Sequence, residues 1–365
     1  MMHMAETDWA LAYTELVAQY LYDLFQAKLQ EAVAGSPVSL PSPSTKLSIW
    51  VVIECMEISE VLVTAYLNPI SVDWDADMYA DQIGPKPTGK GAKLEERLKK
   101  NFPPQFPSRL VSSPTIVVDK HRRVLAWLLP GVLSKKRQAA FEHATTMLAE
   151  AFGKGSPGWR ADPELFKEVG AQPKFAPGIA TLSAGWFQQG HKGKSFPIEA
   201  SASLRRFSGC SGAWMAAIAE SNAVVSAMLR VMQPDLYHAG MRCLRQLREE
   251  PQLREYVNRW TCVTTAVQII ANRKTPLHRD RAGRAAWMDI LVTVGDYSGL
   301  RLKLPTLGME VEYDPGSVVA ICGMMLSHSV PPASGERACY AYFMSSEIFT
   351  CKDIEFPHWA KLSNP

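Results

Sequence analysis

The sequence predicts an α+β protein in which helices and loops precede a β-rich part. Apolar residues recur near helical spacing in residues 9–29, 135–152 and 213–247. After Tyr256 the pattern changes to short β-rich runs that turn signals separate. Closely spaced strands without helices between them predict an antiparallel sandwich or barrel in the last part of the chain.

The composition is typical of a globular protein. The chain has 365 residues, of which 47% are hydrophobic, so a sizeable core can form. The longest apolar run near the N-terminus is far shorter than the roughly 20 residues that cross a bilayer, and the first residues do not resemble a secretory signal. We therefore expect an intracellular protein without a membrane partner.

The cysteines and the charge narrow the classes of protein further. Seven cysteines are scattered and none is spaced as CxxC, which argues against a disulfide framework and a structural zinc site. The net charge of +3 is too small to indicate a nucleic-acid partner. Local basic stretches are candidate contacts to DNA phosphates, although such stretches often mark only a solvated surface: residues 86–100, 120–123, 134–137 and 192–194.

The N-terminal region is expected to be an extension of helices and loops, residues 1–108, that packs on a core domain of residues 109–365. Residues 9–29 predict an amphipathic helix. Residues 48–67 are apolar with a few glutamates, and their period does not separate helix from strand. Residues 86–100 are basic and lead into a proline-rich run, so we expect that segment to be exposed and mobile.

The middle of the chain predicts a hairpin, a helix and a long loop. Residues 115–118 and 123–128 are β-rich runs around a polar turn, which is typical of a hairpin. Ser134 is a suitable N-cap for the helix that follows, and Gly153 ends it. Glycine and proline punctuate residues 153–196, and loops of that length inside a domain are usually functional or disordered.

A possible metal site lies in the β-rich part. The motif His278-Arg279-Asp280 is followed by His328, 48 residues after Asp280. In an extended chain, residues i and i+2 project to the same side, so His278 and Asp280 can reach one ion while Arg279 points elsewhere. Two imidazoles and one carboxylate on one face of Fe(II) form the facial triad of non-haem oxygenases. The HxD pattern alone is weak because it arises often by chance.

A basic residue that could bind a carboxylate follows the second histidine in the sequence. Arg337 opens another β-run nine residues after His328. 2-Oxoglutarate binds iron through its 1-carboxylate and 2-oxo group, so its distal carboxylate needs a cation deeper in the fold. A guanidinium suits this role because it donates two parallel hydrogen bonds. The alternative is a surface salt bridge for Arg337 and unrelated histidines.

Several segments resemble the TET/JBP nucleic-acid base oxygenases, especially their fungal branch. They are IIANRKTPLHRD at residues 269–280, the distal His328 and RACYAYF at residues 337–343, within a similarity that spans residues 115–349. The resemblance implies a double-stranded β-helix (jelly-roll) core flanked by helices, Fe(II) and 2-oxoglutarate as cofactors, and oxidation of a methyl group on a DNA base. The family's iron ligands and its distal-carboxylate arginine fall on His278, Asp280, His328 and Arg337.

The resemblance also supplies candidates for a base pocket. Phe343 stands where relatives have an aromatic residue that stacks on the flipped base, although ordinary core packing explains a phenylalanine there equally well. Gly283 and Ser345 stand where relatives place side chains that contact cytosine. Cytosine specificity is therefore open, and a wider pocket could admit N6-methyladenine.

Further candidates lie outside that pocket. Arg273 matches a basic position that relatives place near the co-substrate, and a DNA phosphate contact is an alternative role. Residues 185–194 combine aromatic, amide and basic groups. His191 and Lys192 in that loop are candidates to fill the space that a flipped base leaves in the duplex.

The favoured interpretation is a nuclear, monomeric dioxygenase that acts on double-stranded DNA with a flipped methylated base. The expected reaction oxidises the methyl group of 5-methylcytosine, and N6-methyladenine is a second candidate substrate. One alternative is a 2-oxoglutarate oxygenase that acts on a protein side chain or a small molecule. Another is an inactive DNA-binding module, which is disfavoured because all three ligand residues and the arginine are present.

Overall fold

The structure is a computed structural model that describes residues 9–84, 92–153, 162–168, 170, 172–188, 190–191, 193–206, 208–280 and 283–363. The helices in these ranges are α1 (Trp9–Ala34), α2 (Ile49–Leu67), α3 (Ala76–Ile83), α4 (Ala92–Asn101), α5 (Lys135–Thr146), α6 (Ala202–Arg206), α7 (Ser208–Met232), α8 (Pro234–Glu249), α9 (Arg254–Val257) and α10 (Ser346–Cys351), with one turn of 3₁₀ helix at Pro163–Leu165. The strands are β1 (Pro69–Ser71), β2 (Arg109–Val111), β3 (Thr115–Val118), β4 (Val124–Leu129), β5 (Gly178–Ser183), β6 (Ala266–Ala271), β7 (Thr275–His278), β8 (Asp289–Asp296), β9 (Arg301–Leu304), β10 (Met309–Glu312), β11 (Val318–Ile321), β12 (His328–Val330) and β13 (Glu336–Phe343).

Strands β6 to β13 are divided between two sheets, and consecutive strands lie in different sheets except for the pair β9 and β10. The larger sheet contains β11-β8-β13-β6 in that order, and the smaller contains β10-β9-β12-β7. All pairs among these eight strands are antiparallel. Two antiparallel sheets whose successive strands switch from one to the other form a double-stranded β-helix. The predicted jelly-roll core, flanked by helices in an α+β chain, is therefore confirmed.

Additional strands extend both sheets. The predicted hairpin is present as β3 and β4, and β4 joins it to β11. β1 adds to β3 and β2 adds to β10, both in parallel. Because β1 lies within residues 1–108, the N-terminal region contributes a strand to the larger sheet of the core. The domain boundary after residue 108 stays a prediction.

The expectation of an unbroken loop over residues 153–196 was wrong. Gly178–Ser183 in that stretch forms β5, which pairs with β6 at the edge of the larger sheet. The flanking glycines and prolines favour a loop, so the sequence pattern does not predict this short strand. Pairing with β6 stabilises it because β6 satisfies its backbone hydrogen-bonding groups.

β13 separates the helical layer from the inside of the barrel. Its alternate residues Tyr340 and Tyr342 face the helices: the Tyr340 ring packs 4.9 Å from Phe141 of α5, and the Tyr342 hydroxyl donates to Asn222 of α7 at 2.9 Å. The intervening residues face the other sheet, as the two-residue period of a strand requires. β13 is therefore buried on both faces along most of its length.

Two stretches with an apolar pattern resolve into helices. Residues 48–67 form α2, whose N-cap Ser48 accepts a hydrogen bond from the Val51 N–H. The predicted helical region 213–247 is two helices, because Pro234 starts α8 at a position where its missing N–H costs nothing. α7 is long and apolar enough to cross a membrane, but most of it is buried in the protein core.

The basic segment before the core is partly ordered, contrary to expectation. Residues 92–101 form α4, and Glu95 in this helix accepts two hydrogen bonds from Arg279, each at 2.8 Å. Arg279 also donates to the Tyr79 hydroxyl of α3 at 2.7 Å. Residues 85–91 lie outside the described residues. The buried Arg279 thus ties the N-terminal helices to the strand that carries the HxD motif.

Candidate active site

Strand pairing brings the two candidate histidine ligands together. His278 ends β7, His328 begins β12, and the two residues are direct antiparallel partners in the smaller sheet. Their ring centroids lie 4.2 Å apart. Asp280 joins them because its N–H donates to the Gly323 carbonyl at 2.9 Å, which fixes the chain just after β7.

Main-chain contacts also fix the orientation of both rings. His278 Nδ1 lies 3.0 Å from the Pro276 carbonyl, and His328 Nδ1 lies 3.0 Å from the Leu326 carbonyl. A carbonyl only accepts, so each Nδ1 carries the proton and each Nε2 keeps its lone pair. His278 Nε2 and His328 Nε2 lie 3.5 and 3.4 Å from the Asp280 carboxylate.

The donor set fits a ferrous ion. One ligand atom from each of His278, Asp280 and His328 lies within 4.8 Å of the other two. Two neutral imidazole nitrogens and one carboxylate oxygen are the ligands of the facial triad. These three residues would hold Fe(II), and the main-chain bonds to Nδ1 would orient the rings as outer hydrogen bonds do in metal sites.

A second carboxylate lies beside the triad and was missed from the sequence. Asp289 at the start of β8 is buried, and a side chain in place of Gly323 would collide with the carboxylates of both Asp289 and Asp280. Burial and the negative charge of Asp280 raise the pKa of Asp289 well above its usual range. In the sequence Asp289 is a single acidic residue at the start of an apolar β-run. Its proximity to Asp280 is therefore seen only in the folded structure.

Arg337 lies at the other end of the same cavity. This cavity is lined by residues of both sheets, including the triad, Arg273 and Arg337. Arg337 is buried, its Nε donates to Thr293 Oγ1 at 3.0 Å, and its guanidinium lies 5.2 Å from the centre of the Tyr313 ring. Burial alone would lower the pKa of Arg337, but neighbouring thiol and phenol groups outweigh it and the net shift is upward.

Arg273 adds a second guanidinium to this end of the cavity. It is buried, and its Nη2 donates to Thr275 Oγ1 at 3.3 Å. Arg273 and Arg337 also line a second, larger cavity. The co-substrate position suggested for Arg273 is compatible with this placement, whereas a buried side chain is poorly placed to contact a DNA phosphate.

The candidate base-pocket residues cluster around the end of β13. Phe343 is half-buried, and its ring meets Trp186 edge-on at 6.2 Å. A side chain in place of Gly283 would make ordinary van der Waals contact, with the Trp287 ring 3.9 Å and the Met344 carbonyl oxygen 4.0 Å from its Cβ position. Ser345 is buried as the N-cap of α10, and its N–H donates to Thr265 Oγ1 at 2.8 Å.

The loop candidate His191 is not brought to the cavity. Its ring stacks on Phe196 with 4.5 Å between centroids, and it is absent from the cavity lining. Lys192 lies outside the described residues. The neighbouring Lys194 forms an ion pair with Asp353 at 2.7 Å, which holds this loop against the segment after α10.

Some predicted phosphate contacts are committed to ion pairs inside the protein. Arg137 is buried, and its guanidinium contacts the Glu54 carboxylate at 2.7 Å, so its assignment as a phosphate contact was wrong. Arg123 contacts Asp75 at 2.8 Å and Asp119 at 3.1 Å. The pairs with Glu54 and Asp75 join segments far apart in the chain, which a local count of basic residues does not detect.

A family model decides the class of oxygenase. The model of the Tet_JBP family, the oxygenase domain of the 2OGFeDO superfamily, matches residues 186–346. This segment is similar to the Tet_JBP oxygenase domain. The fungal branch stays a prediction, and no curated protein matches the chain in sequence.

Solved structures similar to this chain include two oxygenases. NgTET1 in complex with 5mC DNA is 15% identical, with a TM-score of 0.49 over 81% of this chain and 90% of that chain. A 2OG-Fe(II) oxygenase family oxidoreductase from Burkholderia pseudomallei is 10% identical, with a TM-score of 0.30 over 76% of this chain and 94% of that chain.

The cofactors are Fe(II) and 2-oxoglutarate, which the match to the 2OGFeDO superfamily and the triad both support. When bound, they supply O₂ activation coupled to decarboxylation of 2-oxoglutarate to succinate. The triad would hold the metal at one end of the cavity, and Arg337 would hold the distal carboxylate at the other. The surrounding apolar strands restrict access of water, which strengthens both electrostatic interactions.

Replacing any of His278, Asp280 and His328 by Ala should abolish succinate formation, because each change removes a ligand from a site that needs three. Iron binding should weaken while the melting temperature of the metal-free protein changes little. The measurements are succinate yield, bound iron and thermal unfolding for each variant. Full turnover in any one of the three at ordinary iron concentration would exclude this triad.

Arg337→Lys should raise the KM for 2-oxoglutarate by about tenfold or more, because an ammonium cannot donate two parallel hydrogen bonds to a carboxylate. The measurement is the dependence of succinate formation on 2-oxoglutarate concentration. Unchanged KM would mean that another residue, with Arg273 the nearest choice, holds the distal carboxylate.

Arg137→Met should lower the free energy of unfolding by about 3–5 kcal/mol, because Glu54 would be left buried without its cation. The matched control Lys135→Met replaces an exposed cation two residues away and should change stability by less than about 0.5 kcal/mol. Denaturant unfolding measures both. Equal, small losses would show that Arg137 is not a structural ion-pair residue.

Proposed function

We propose that the protein is a DNA dioxygenase that oxidises the methyl group of 5-methylcytosine in duplex DNA. In this proposal His278, Asp280 and His328 hold Fe(II), Arg337 anchors 2-oxoglutarate, and the target base is flipped out of the duplex. A chromosomal substrate implies a nuclear location, and the proposed acting species is a monomer.

The position of Phe343 is the observation that carries the proposal. Phe343 lies six residues after Arg337 on β13, so both side chains project from the same face of the strand. Arg337 lies deep in the cavity, whereas Phe343 is half-buried near the other end of the strand. A flat aromatic side chain on the strand face that lines the cavity suits a base, because every base has a face on which a ring can stack.

The glycine at residue 283 favours N6-methyladenine as a second substrate. Gly283 carries no side chain, and no neighbouring atom lies closer than 3.9 Å to its Cβ position. A purine is larger than a pyrimidine and needs such space. Hydroxylation of an N-methyl group gives a carbinolamine that loses formaldehyde, so the product would be unmodified adenine.

A panel of substrates tests the proposal. The protein is incubated with Fe(II), 2-oxoglutarate and duplexes that carry 5-methylcytosine, N6-methyladenine or no methylated base, and nucleosides are measured by mass spectrometry. The proposal predicts oxidised 5-methylcytosine. Turnover of free small molecules or peptides with every duplex untouched would contradict it and favour the alternative oxygenase. Absence of succinate under every condition would favour an inactive module.

Phe343→Ala should cost about 1–3 kcal/mol of duplex binding if the ring stacks on the flipped base. The melting temperature should change little because the ring is only half-buried. Phe349→Ala is the control for core packing, since Phe349 is fully buried and its loss should cost about 3–5 kcal/mol of stability. If Phe343→Ala instead destabilises the protein as much as Phe349→Ala, the stacking role is wrong.

A further inference from the structure

Gln268 faces the active-site cavity from the middle of β6. It lines the cavity together with Ile270, which projects from the same face of the strand two residues later. Its neighbours across the sheet are Ala341 on β13 and Thr181 on β5. The side chain is half-buried, so Gln268 is part of the cavity wall and its amide is accessible from inside.

The register places Gln268 nearer to the proposed base pocket than to the co-substrate anchor. Its partner Ala341 lies two residues before Phe343 and four residues after Arg337 on β13. With a rise of about 3.4 Å per residue, the level of Gln268 is about 7 Å from that of Phe343 and about 14 Å from that of Arg337.

Other polar side chains in the cavity already have a role or a partner. The triad would bind the metal, and Arg337 would bind the distal carboxylate. Arg273 donates to Thr275, and Tyr313 lies under the Arg337 guanidinium. Gln268 contributes an uncharged amide to this lining, and binding of the metal and of 2-oxoglutarate does not require it.

A single hydrogen bond fixes the orientation of the amide. Gln268 Nε2 donates to Thr181 Oγ1 at 3.0 Å. Gln268 Oε1 accepts no hydrogen bond from the part of the chain that the structure describes. The cavity wall therefore presents a carbonyl oxygen, held by Thr181, as an acceptor for a group that enters from the Phe343 side.

We propose that Gln268 Oε1 reads the exocyclic amino group of the flipped base, with Thr181 as its positioning residue. The acceptor would take the N4–H of 5-methylcytosine or the N6–H of N6-methyladenine. Thymine carries an oxygen where 5-methylcytosine carries this amino group, so two acceptors would face each other unpaired. The inference rests on the proposed function and narrows it to methylated bases that bear an amino group.

The test compares two duplexes that differ at one position, a 5-methylcytosine·guanine pair and a thymine·guanine mismatch. Binding is measured without oxygen, with Fe(II) and 2-oxoglutarate present. The thymine of the mismatch flips out of the duplex more easily than a paired base, but this advantage is the same for every variant. A change in the ratio of the two Kd values between variants therefore measures the contribution of the Gln268 amide. Gln268→Met keeps the length of the side chain without the amide and should shift the ratio toward thymine by about tenfold.

Thr181 supplies an independent pair of variants. Thr181→Val removes the hydroxyl that holds the amide and should shift the ratio in the same direction, whereas Thr181→Ser retains the hydroxyl and should preserve the wild-type ratio. A merely structural role would weaken binding of both duplexes equally. Unchanged ratios in Gln268→Met and Thr181→Val would overturn the inference.

The outcomes separate this inference from the proposed function. If the wild-type protein oxidises methylated duplexes and these variants keep its base preference, the role of Gln268 is refuted. The proposed function is then unaffected. Wild-type protein that binds and oxidises no methylated duplex refutes both.

Discussion

Antiparallel pairing of β7 with β12 puts His278 directly opposite His328, and the remainder of the site is arranged around this pair. Each imidazole is oriented by the main-chain carbonyl of the residue two positions earlier in the chain. The third ligand residue, Asp280, is fixed by the carbonyl of Gly323. Because backbone groups supply these contacts, the geometry of the site depends on strand register more than on neighbouring side chains.

The two-residue period of the strands determines which side chains face the cavity and which contact the helices. On β13 one face packs against the helices through Tyr340, and the opposite face lines the cavity with Arg337 and ends at Phe343. In the HxD motif the middle residue Arg279 turns away from the ligands and binds Glu95 of α4. Arg279 lies between the candidate ligands His278 and Asp280 in the chain. Its contact with Glu95 therefore connects the N-terminal helices to the site.

The sequence predicted the parts of the site that have a distinctive chemistry and spacing. The triad residues and Arg337 were identified because few functions require that set in that order, and the resemblance supplied the jelly-roll topology. Contacts between distant segments were not predictable: Arg137 reads as part of a basic stretch, but its partner Glu54 is 83 residues away. Asp289 and Gln268 are single polar residues in apolar strands, and only the register shows which side of the sheet they face.

The stoichiometry of the reaction tests the central claim most directly. In single turnover with duplex DNA that contains 5-methylcytosine, succinate and oxidised base are quantified in the same sample. If the cavity holds co-substrate and flipped base together, the two products form in nearly equal amounts, and unmethylated duplex gives succinate without oxidised base at a much lower rate. Succinate that forms equally fast with either duplex, and without any oxidised base, would contradict the account.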